Sequence, residues 1–371
     1  TADATFRTAD PGGSSPITGW PKMVPAGSGA GNDQGRGVAV DAAGNIAMVG
    51  NVRNATDDIY VAKYSPAGAL VWQVTYDNPV HQGHDLGAAV AFDASGNVVV
   101  TGQTYNGVNG SGGTEIDVYT AKYAAADGAM IWQRTYNNPL ASSDDRGFCV
   151  LVDGNGDVIV GGYTFRASSN QDYYTAKYAG ATGTVIWDVT YNGAANGSDI
   201  ATSMAVDSAN NVIVTGYSAN ASGNMDFLTI KYAAADRAVV WEHRYNGAAN
   251  QNDYANYVTV EASGRVLVTG ESQNGDGTYD MHTVKIGSGT GATIWERRYN
   301  GPANLNDAGN RIVVDAAGDV FVAGTTTAAP GNPDFYVAKY ASLDGAILWE
   351  RTYNGSGNAE DVPTQLLLAP N

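Results

Sequence analysis

The sequence predicts an all-β chain, a seven-bladed β-propeller of four-stranded antiparallel blades. Two observations predict it. All seven tryptophans, Trp20, Trp72, Trp132, Trp187, Trp241, Trp295 and Trp349, stand in copies of one pattern, at spacings of 52, 60, 55, 54, 54 and 54 residues. That period is too long for leucine-rich, ankyrin or tetratricopeptide units and suits one blade. No capped helical pattern that could serve as a crossover appears anywhere.

The unit ending near Trp132 shows each strand in turn. Gly87 to Asp93 is an apolar run of small and branched residues, and Ala-Ser-Gly-Asn after it is a tight turn. Val98-Val-Val-Thr-Gly102 is a second strand rich in β-branched residues. A long polar loop leads to Asp117–Tyr123, which alternates as a half-buried strand does, and a short Ala/Asp/Gly turn precedes the fourth strand, Ala129–Tyr136. Six units run complete from about Gly35 to Gly355. Ala4 to Pro25 matches the last two strands of a unit and Asp361 to Ala369 the first, so pairing strands from both termini in one composite blade would close the ring and remove open sheet edges. Residues 1–371 are thus expected to form a single propeller domain.

Composition narrows the function. The formal charge of −17 argues against nucleic acid and anionic membrane as partners. No apolar stretch reaches the roughly 18 residues of a membrane span, and a start at Thr1 without a signal peptide fits a processed, exported protein; a chain cut from a longer one starts the same way. Cys149 is the only cysteine and lies in an apolar strand, so there is no disulfide framework and a buried thiol is expected.

In a meander of this order the second-to-third loops and the blade-to-blade connections share one face, where the long, variable segments collect. On that face Tyr105, Tyr163, Tyr217 and Tyr279 are candidate anchors, since a phenol offers both a stacking surface and a hydrogen bond. Asp33, Asp85, Asp145, Asp199, Asp253, Asp307 and Asp361 recur once per unit and would ring the channel mouth. Such a ring suits a hard cation, Ca2+ above all. It also suits seven Asx turns, each carboxylate bonding its own connection's amides. Asp153-Gly-Asn-Gly-Asp157 resembles the start of a calcium loop, without the distal glutamate, and equally reads as a hairpin turn. The six repeated lysines, Lys63 to Lys339, are expected to form inter-blade ion pairs or to bond a neighbouring turn.

A unique site should show where the repeat breaks. Four residues before the acid that ends each first strand the chain reads Gly37, Ala89, Cys149, Ser203, Tyr257 and Arg311. If that row faces the channel, Asn256, Tyr257, Asn310 and Arg311 form a one-sided polar cluster that binds a ligand or plugs the channel. His81 and His84 form a histidine pair on a connection, with no helix to align both rings on a metal. No Ser/His/Asp arrangement, nucleophile elbow or phosphate loop is present.

The segments Asp41-Ala-Ala-Gly-Asn-Ile46, Val-Thr-Gly at 100–102, 214–216 and 268–270, Ala62-Lys-Tyr64 and Trp72-Gln-Val-Thr-Tyr76 resemble the bacterial and archaeal seven-bladed β-propeller repeat (SBBP) family. The resemblance implies a secreted or cell-surface propeller, often a module of larger envelope proteins, with no catalytic residues assigned. Ala124–Trp132, with glycine four residues before tryptophan, is similar to the tryptophan-docking motif of quinoprotein dehydrogenases, in which the indole wedges between blades; Pro16 and Arg237 depart from it. Two functional expectations follow. One is a non-enzymatic extracellular or cell-surface module that binds a protein or carbohydrate of the envelope through its long-loop face, without a required cofactor. The other is a cation-dependent hydrolase or lyase with its site at the channel mouth.

Overall fold

A computed structural model describes residues 33–108, 113–139, 144–165, 170–357 and 359–368. These form 24 strands in six four-stranded antiparallel meanders, Gln34–Tyr76, Leu86–Tyr136, Arg146–Tyr191, Asp199–Tyr245, Asp253–Tyr299 and Asp307–Tyr353, here blades one to six. No helix occurs among the described residues. First strands of successive blades touch one another, so they are the innermost. The second and third strands are β-branched and almost wholly enclosed, as at Val98, Val99 and Val100. The core is accordingly layered, each layer lying between two blades: Val49, Ile59 and Trp72 of blade one pack with Val98, Val100 and Tyr119 of blade two.

The sheets number six among the described residues, not the seven expected. The N-terminal strands proposed for a composite blade, with Trp20, lie outside the described residues. The first strand expected from Asp361 is absent as well: residues 361–368 have no strand pairing. Closure of the ring is therefore not part of the described structure.

One joint recurs between blades. The indole N–H of Trp72, Trp132, Trp187, Trp241 and Trp295 donates to a carbonyl in the third-to-fourth-strand turn of the following blade, that of Ala125, Gly180, Ala234, Ser288 and Ser342 respectively, at 3.0–3.2 Å. The ammonium of Lys63, Lys122, Lys177, Lys231 and Lys285 donates to that same carbonyl. Four lysines also hold the acid ending their own blade's first strand: Asp93, Asp153, Asp207 and Glu261, each at 2.8 Å. The lysines thus bond the neighbouring turn, as expected, but their ion pairs lie within the blade. Below the indole, the fourth strand's last tyrosine stacks on the next blade's third strand: Tyr76 on Tyr119, Tyr136 on Tyr174, Tyr245 on His282 and Tyr299 on Tyr336, with ring centres 3.9–4.1 Å apart.

The docking glycine serves two needs at once. Gly345 has φ +67, and a Cβ there would lie 2.7 Å from the Trp295 ring. Gly345→Ala should therefore cost at least the roughly 1–2 kcal/mol of a left-handed L-residue, read as a lower denaturation midpoint with an unchanged slope. Arg237 occupies the same position at φ +59, with its guanidinium donating to the Asp188 carbonyl. That hydrogen bond accompanies the repeat's one described departure from glycine.

Candidate functional site at the channel mouth

The repeated aspartates form the floor of the long-loop face. Asp85 accepts from the Asn78 and Tyr105 amides and the Thr104 hydroxyl, and Asp145 from the equivalent Asn138, Phe165 and Thr164. Asp199, Asp253, Asp307 and Asp361 accept from the amides of Gly193, Gly247, Gly301 and Gly355. Asp33 accepts from the Arg53 amide. From Asp85 to Asp361 each carboxylate thus ties the connection that precedes it. Among the described residues no group of three or more His, Cys, Asp or Glu side chains converges to hold a metal. Asp153 takes amides of Asn155 and Asp157 within a hairpin turn while pairing Lys177.

These buried acids divide by environment. Burial pushes Asp145 up to about 6, against the pull of its hydrogen bonds, and raises Asp117 to about 7, helped by the charges of Glu115 and Asp145. For Asp93, Asp207 and Glu261 burial also opposes ionisation, but the lysine bond and further local hydrogen bonds, from Asn97, Asn211 and Ser263 with Arg265 respectively, outweigh it and hold them low. A raised folded-state pKa means that the native chain binds the proton more tightly, so stability should fall as pH rises from about 4 to about 7. The lysine-paired acids act oppositely, and their contribution is lost below about pH 4. Melting curves across pH should show a maximum between the two limbs, and Asp117→Asn should flatten only the upper one.

The innermost strands carry a bulge in every blade. The extra residue is Arg36, Ala88, Phe148, Thr202, Asn256 or Asn310. Bulges redirect side chains, and here two of the extra residues, together with Cys149 next to a third, hydrogen-bond to the next blade's inner strand. The Cys149 thiol donates to the Thr202 carbonyl, the Thr202 hydroxyl to Ala255 and the Asn256 amide to Gly309. Of the predicted channel cluster, Asn256 is therefore a linker, while the Arg311 guanidinium lies 5.1 Å from the centre of the Tyr257 ring. Arg311 Nε and Asn310 Oδ1 are buried without a hydrogen-bond partner among the described residues. Burial pushes the Cys149 thiol up to about 12, which disfavours the nucleophilic thiolate at neutral pH.

The four predicted tyrosines separate. Tyr163 is buried edge-on against Phe148 and Phe165. Tyr105 packs over Gly83, whose Cβ would fall 2.1 Å from the ring. Tyr217 and Tyr279 are brought together by a residue the sequence reading missed, Tyr254, with centres 4.9 and 6.1 Å from the two rings. Glu271 pairs in register with Tyr254, and burial raises its carboxyl to about 7. These partly exposed rings span blades four and five. Position 254 follows Asp253 where other units have Leu86, Arg146, Ile200 and Ala308, so its departure from the repeat was the available signal. His84 pairs with Asp57 at 2.8 Å, and His81 lies over Gly107; the two do not converge.

A family profile described as outer membrane protein assembly factor BamB matches residues 172–365. No curated protein matches the chain. Among solved structures, quinohemoprotein alcohol dehydrogenase ADHIIG from Pseudomonas putida HK5 is 11% identical with a TM-score of 0.52, covering 85% of this chain and 58% of that one. Sqt1 from Saccharomyces cerevisiae is 8% identical with a TM-score of 0.55, covering 86% and 76%. BamB from Moraxella catarrhalis is 15% identical with a TM-score of 0.45, covering 87% and 78%. At such identities the likeness concerns the fold alone. Among the described residues no helix is long and apolar enough to cross a membrane.

Proposed function

Because the chain belongs to the β-propeller repeat family described as outer membrane protein assembly factor BamB, we propose that it is a non-catalytic scaffold binding a protein partner of the cell envelope through its long-loop face. The observation that carries this reading is the Tyr217, Tyr254 and Tyr279 cluster. Rigid, amphipathic rings on a fixed sheet edge are what a protein hot spot uses, because they bury large area with little entropy to lose. The joints between blades take up the repeated tryptophans and most of the tyrosines that end the fourth strands, whereas this cluster belongs to no joint.

In this reading the module is secreted or cell-surface, of the SBBP repeat type. Tyr105 and Tyr163 shape the rim, and Asn256, Tyr257, Asn310 and Arg311 offer a polar spot in the channel for one side chain of the partner. The seven mouth aspartates hold the connections, and chelation leaves the melting temperature unchanged.

A photo-crosslinking residue placed at Gly275, where nothing lies within 4 Å of a built Cβ, tests this against one at Ser95 on the opposite turn face. Exposed to the native envelope fraction, the Gly275 probe should give a discrete protein adduct that is lost with Tyr217→Ser and Tyr254→Ser. No adduct, or equal adducts from both positions, overturns the protein-binding reading. A glycan-array signal without a protein adduct assigns the face to carbohydrate instead.

A further inference from the structure

Blades four, five and six keep one spacing between a third-strand acid and a fourth-strand position. The acid lies 15 residues before the blade's tryptophan and the position three after it: Asp226 and Arg244 around Trp241, Asp280 and Arg298 around Trp295, Asp334 and Thr352 around Trp349. In blade four the Arg244 guanidinium donates to Asp226 Oδ2 and the Ser218 carbonyl, both at 3.3 Å, to the Ser218 hydroxyl at 3.0 Å and to the Tyr191 hydroxyl at 3.4 Å. In blade five Arg298 donates to Asp280 Oδ2 at 2.6 Å, the Ser272 carbonyl at 3.0 Å and Asn274 Oδ1 at 2.7 Å. The same two acids also accept from loop amides, Asp226 from Asn220 at 2.7 Å and Asp280 from Asn274 at 2.8 Å.

Blade six keeps the acceptors and changes both donors. Thr326 stands where Ser218 and Ser272 do and Tyr299 where Tyr191 does, but Thr352 holds the arginine's place and Ala328 the asparagine's. Beside the connection from blade five lies a cavity of about 310 Å³, lined by Pro302, Ala303, Thr326, Ala328, Asp334 and Thr352. None of these is cationic. Asp334 is 6% exposed, and its Oδ1 is buried without a hydrogen-bond partner among the described residues. A carboxylate oxygen in that state costs free energy that a donor would return. Blades one and two also have threonine at the fourth-strand position, Thr75 and Thr135, but there a loop asparagine serves the acid: Asn54 donates to Asp58 at 2.6 Å and Asn106 to Asp117 at 3.0 Å.

We infer that this cavity binds the guanidinium of an arginine presented by the protein partner. The planar fork spans Asp334 and the Thr326 carbonyl as Arg244 and Arg298 span their own acid and carbonyl, and the Thr326 and Tyr299 hydroxyls, 3.4 Å apart, accept its outer N–H groups. A lysine ammonium is a compact point charge without that fork. The volume lies at the low end of the roughly 300–1,000 Å³ of small-molecule pockets, room for one side chain. Pro302 and Ala303 at the rim are exposed, and Asn304 next to them bonds Asp276 in the loop that carries Gly275, so the cavity opens on the long-loop face. The inference rests on the protein-binding reading for the source of the guanidinium, while the cavity is tested apart from it.

Titration of the full chain with Nα-acetyl-arginine methylamide, followed by the methyl signals of Ala303, Thr326, Ala328 and Thr352, tests this, with the lysine analogue as control. The arginine probe should shift those signals and bind at least about tenfold tighter than the lysine probe. Asp334→Asn should weaken it by about tenfold or more. Thr352→Arg, which supplies the guanidinium from the chain itself, should abolish probe binding with a melting temperature no lower than wild type. Absence of shifts in the wild-type chain overturns the inference. So does binding that Thr352→Arg leaves intact, or that both probes share equally, the mark of general attraction to an acidic surface. If Asp334→Asn fails to fold, Thr352→Arg decides. A failed titration leaves the Gly275 adduct standing, whereas probe binding in a chain that yields no adduct overturns the partner as the source and makes a free guanidinium compound the ligand.

Discussion

Trp241→Ala should lower the stability of the chain by about 3–5 kcal/mol, the range for deleting a buried large aromatic. The indole is 6% exposed, packs on Gly291 and donates to the Ser288 carbonyl. Its removal empties a volume between two sheets that cannot close independently, because each sheet is held by its neighbours on both faces. Trp241→Phe should cost less, keeping most of the apolar contact while leaving the carbonyl only its Lys231 bond. Denaturant unfolding of the three proteins checks the order wild type, Phe, Ala. Equal midpoints for wild type and the alanine variant would show that the joint is not where the blades are held.

Lys285→Met should be comparably damaging for a different reason. The side chain is 1% exposed and holds Glu261 at 2.8 Å, with a second set of bonds to Ser342 in the next blade. Removing the cation leaves the Glu261 carboxylate with only the half-exposed Arg265 and the Ser263 hydroxyl as partners, so the loss should approach, without exceeding, about 3–5 kcal/mol, the cost of a broken buried pair at neutral pH. The loss should be pH-dependent. Protonating Glu261 relieves it, so the gap between wild type and variant should narrow as pH falls through the acid's newly raised pKa. Lys285→Met with Glu261→Gln, which removes both charges, should recover much of the stability at pH 7. A gap unaltered by pH would point to lost packing rather than an orphaned charge.

Much of this was legible because the repeat averages over local noise. Trp-to-Trp spacing, the β-branched second strands and the glycine before most tryptophans pointed to the six observed blades in their order, and to a seventh that the described residues do not show, while of the two uses expected of the lysine row the bond to a neighbouring turn is the one that holds. What one strand cannot disclose is which blade a partner belongs to. The acid held by Lys122 turned out to be Asp93 of the same blade, because the carbonyl and the carboxylate approach the ammonium from different sheets. The channel cluster was half legible. The Tyr257 and Arg311 row was visible as a departure from the repeat, but the bulge at Asn256 and Asn310 depends on register against the second strand, which no spacing encodes. Tyr254 escaped for a related reason: its value lies in touching Tyr217 from one blade and Tyr279 from its own. The seventh blade rested on terminal fragments: residues 4–25 lie outside the described residues, and residues 361–368 carry no strand.

The central claim is that one backbone carbonyl per joint binds two blades by accepting an indole and an ammonium together. A double-mutant cycle at Ser342, with Lys285→Met and Trp295→Phe measured singly and combined, tests it most directly. Both side chains donate to that oxygen, at 2.9 and 3.2 Å. Groups sharing a partner should couple by about 0.5–3 kcal/mol, so the double variant should differ from the sum of the singles by that amount. Additivity within about 0.3–0.5 kcal/mol would contradict the claim and reduce the joint to two unrelated contacts.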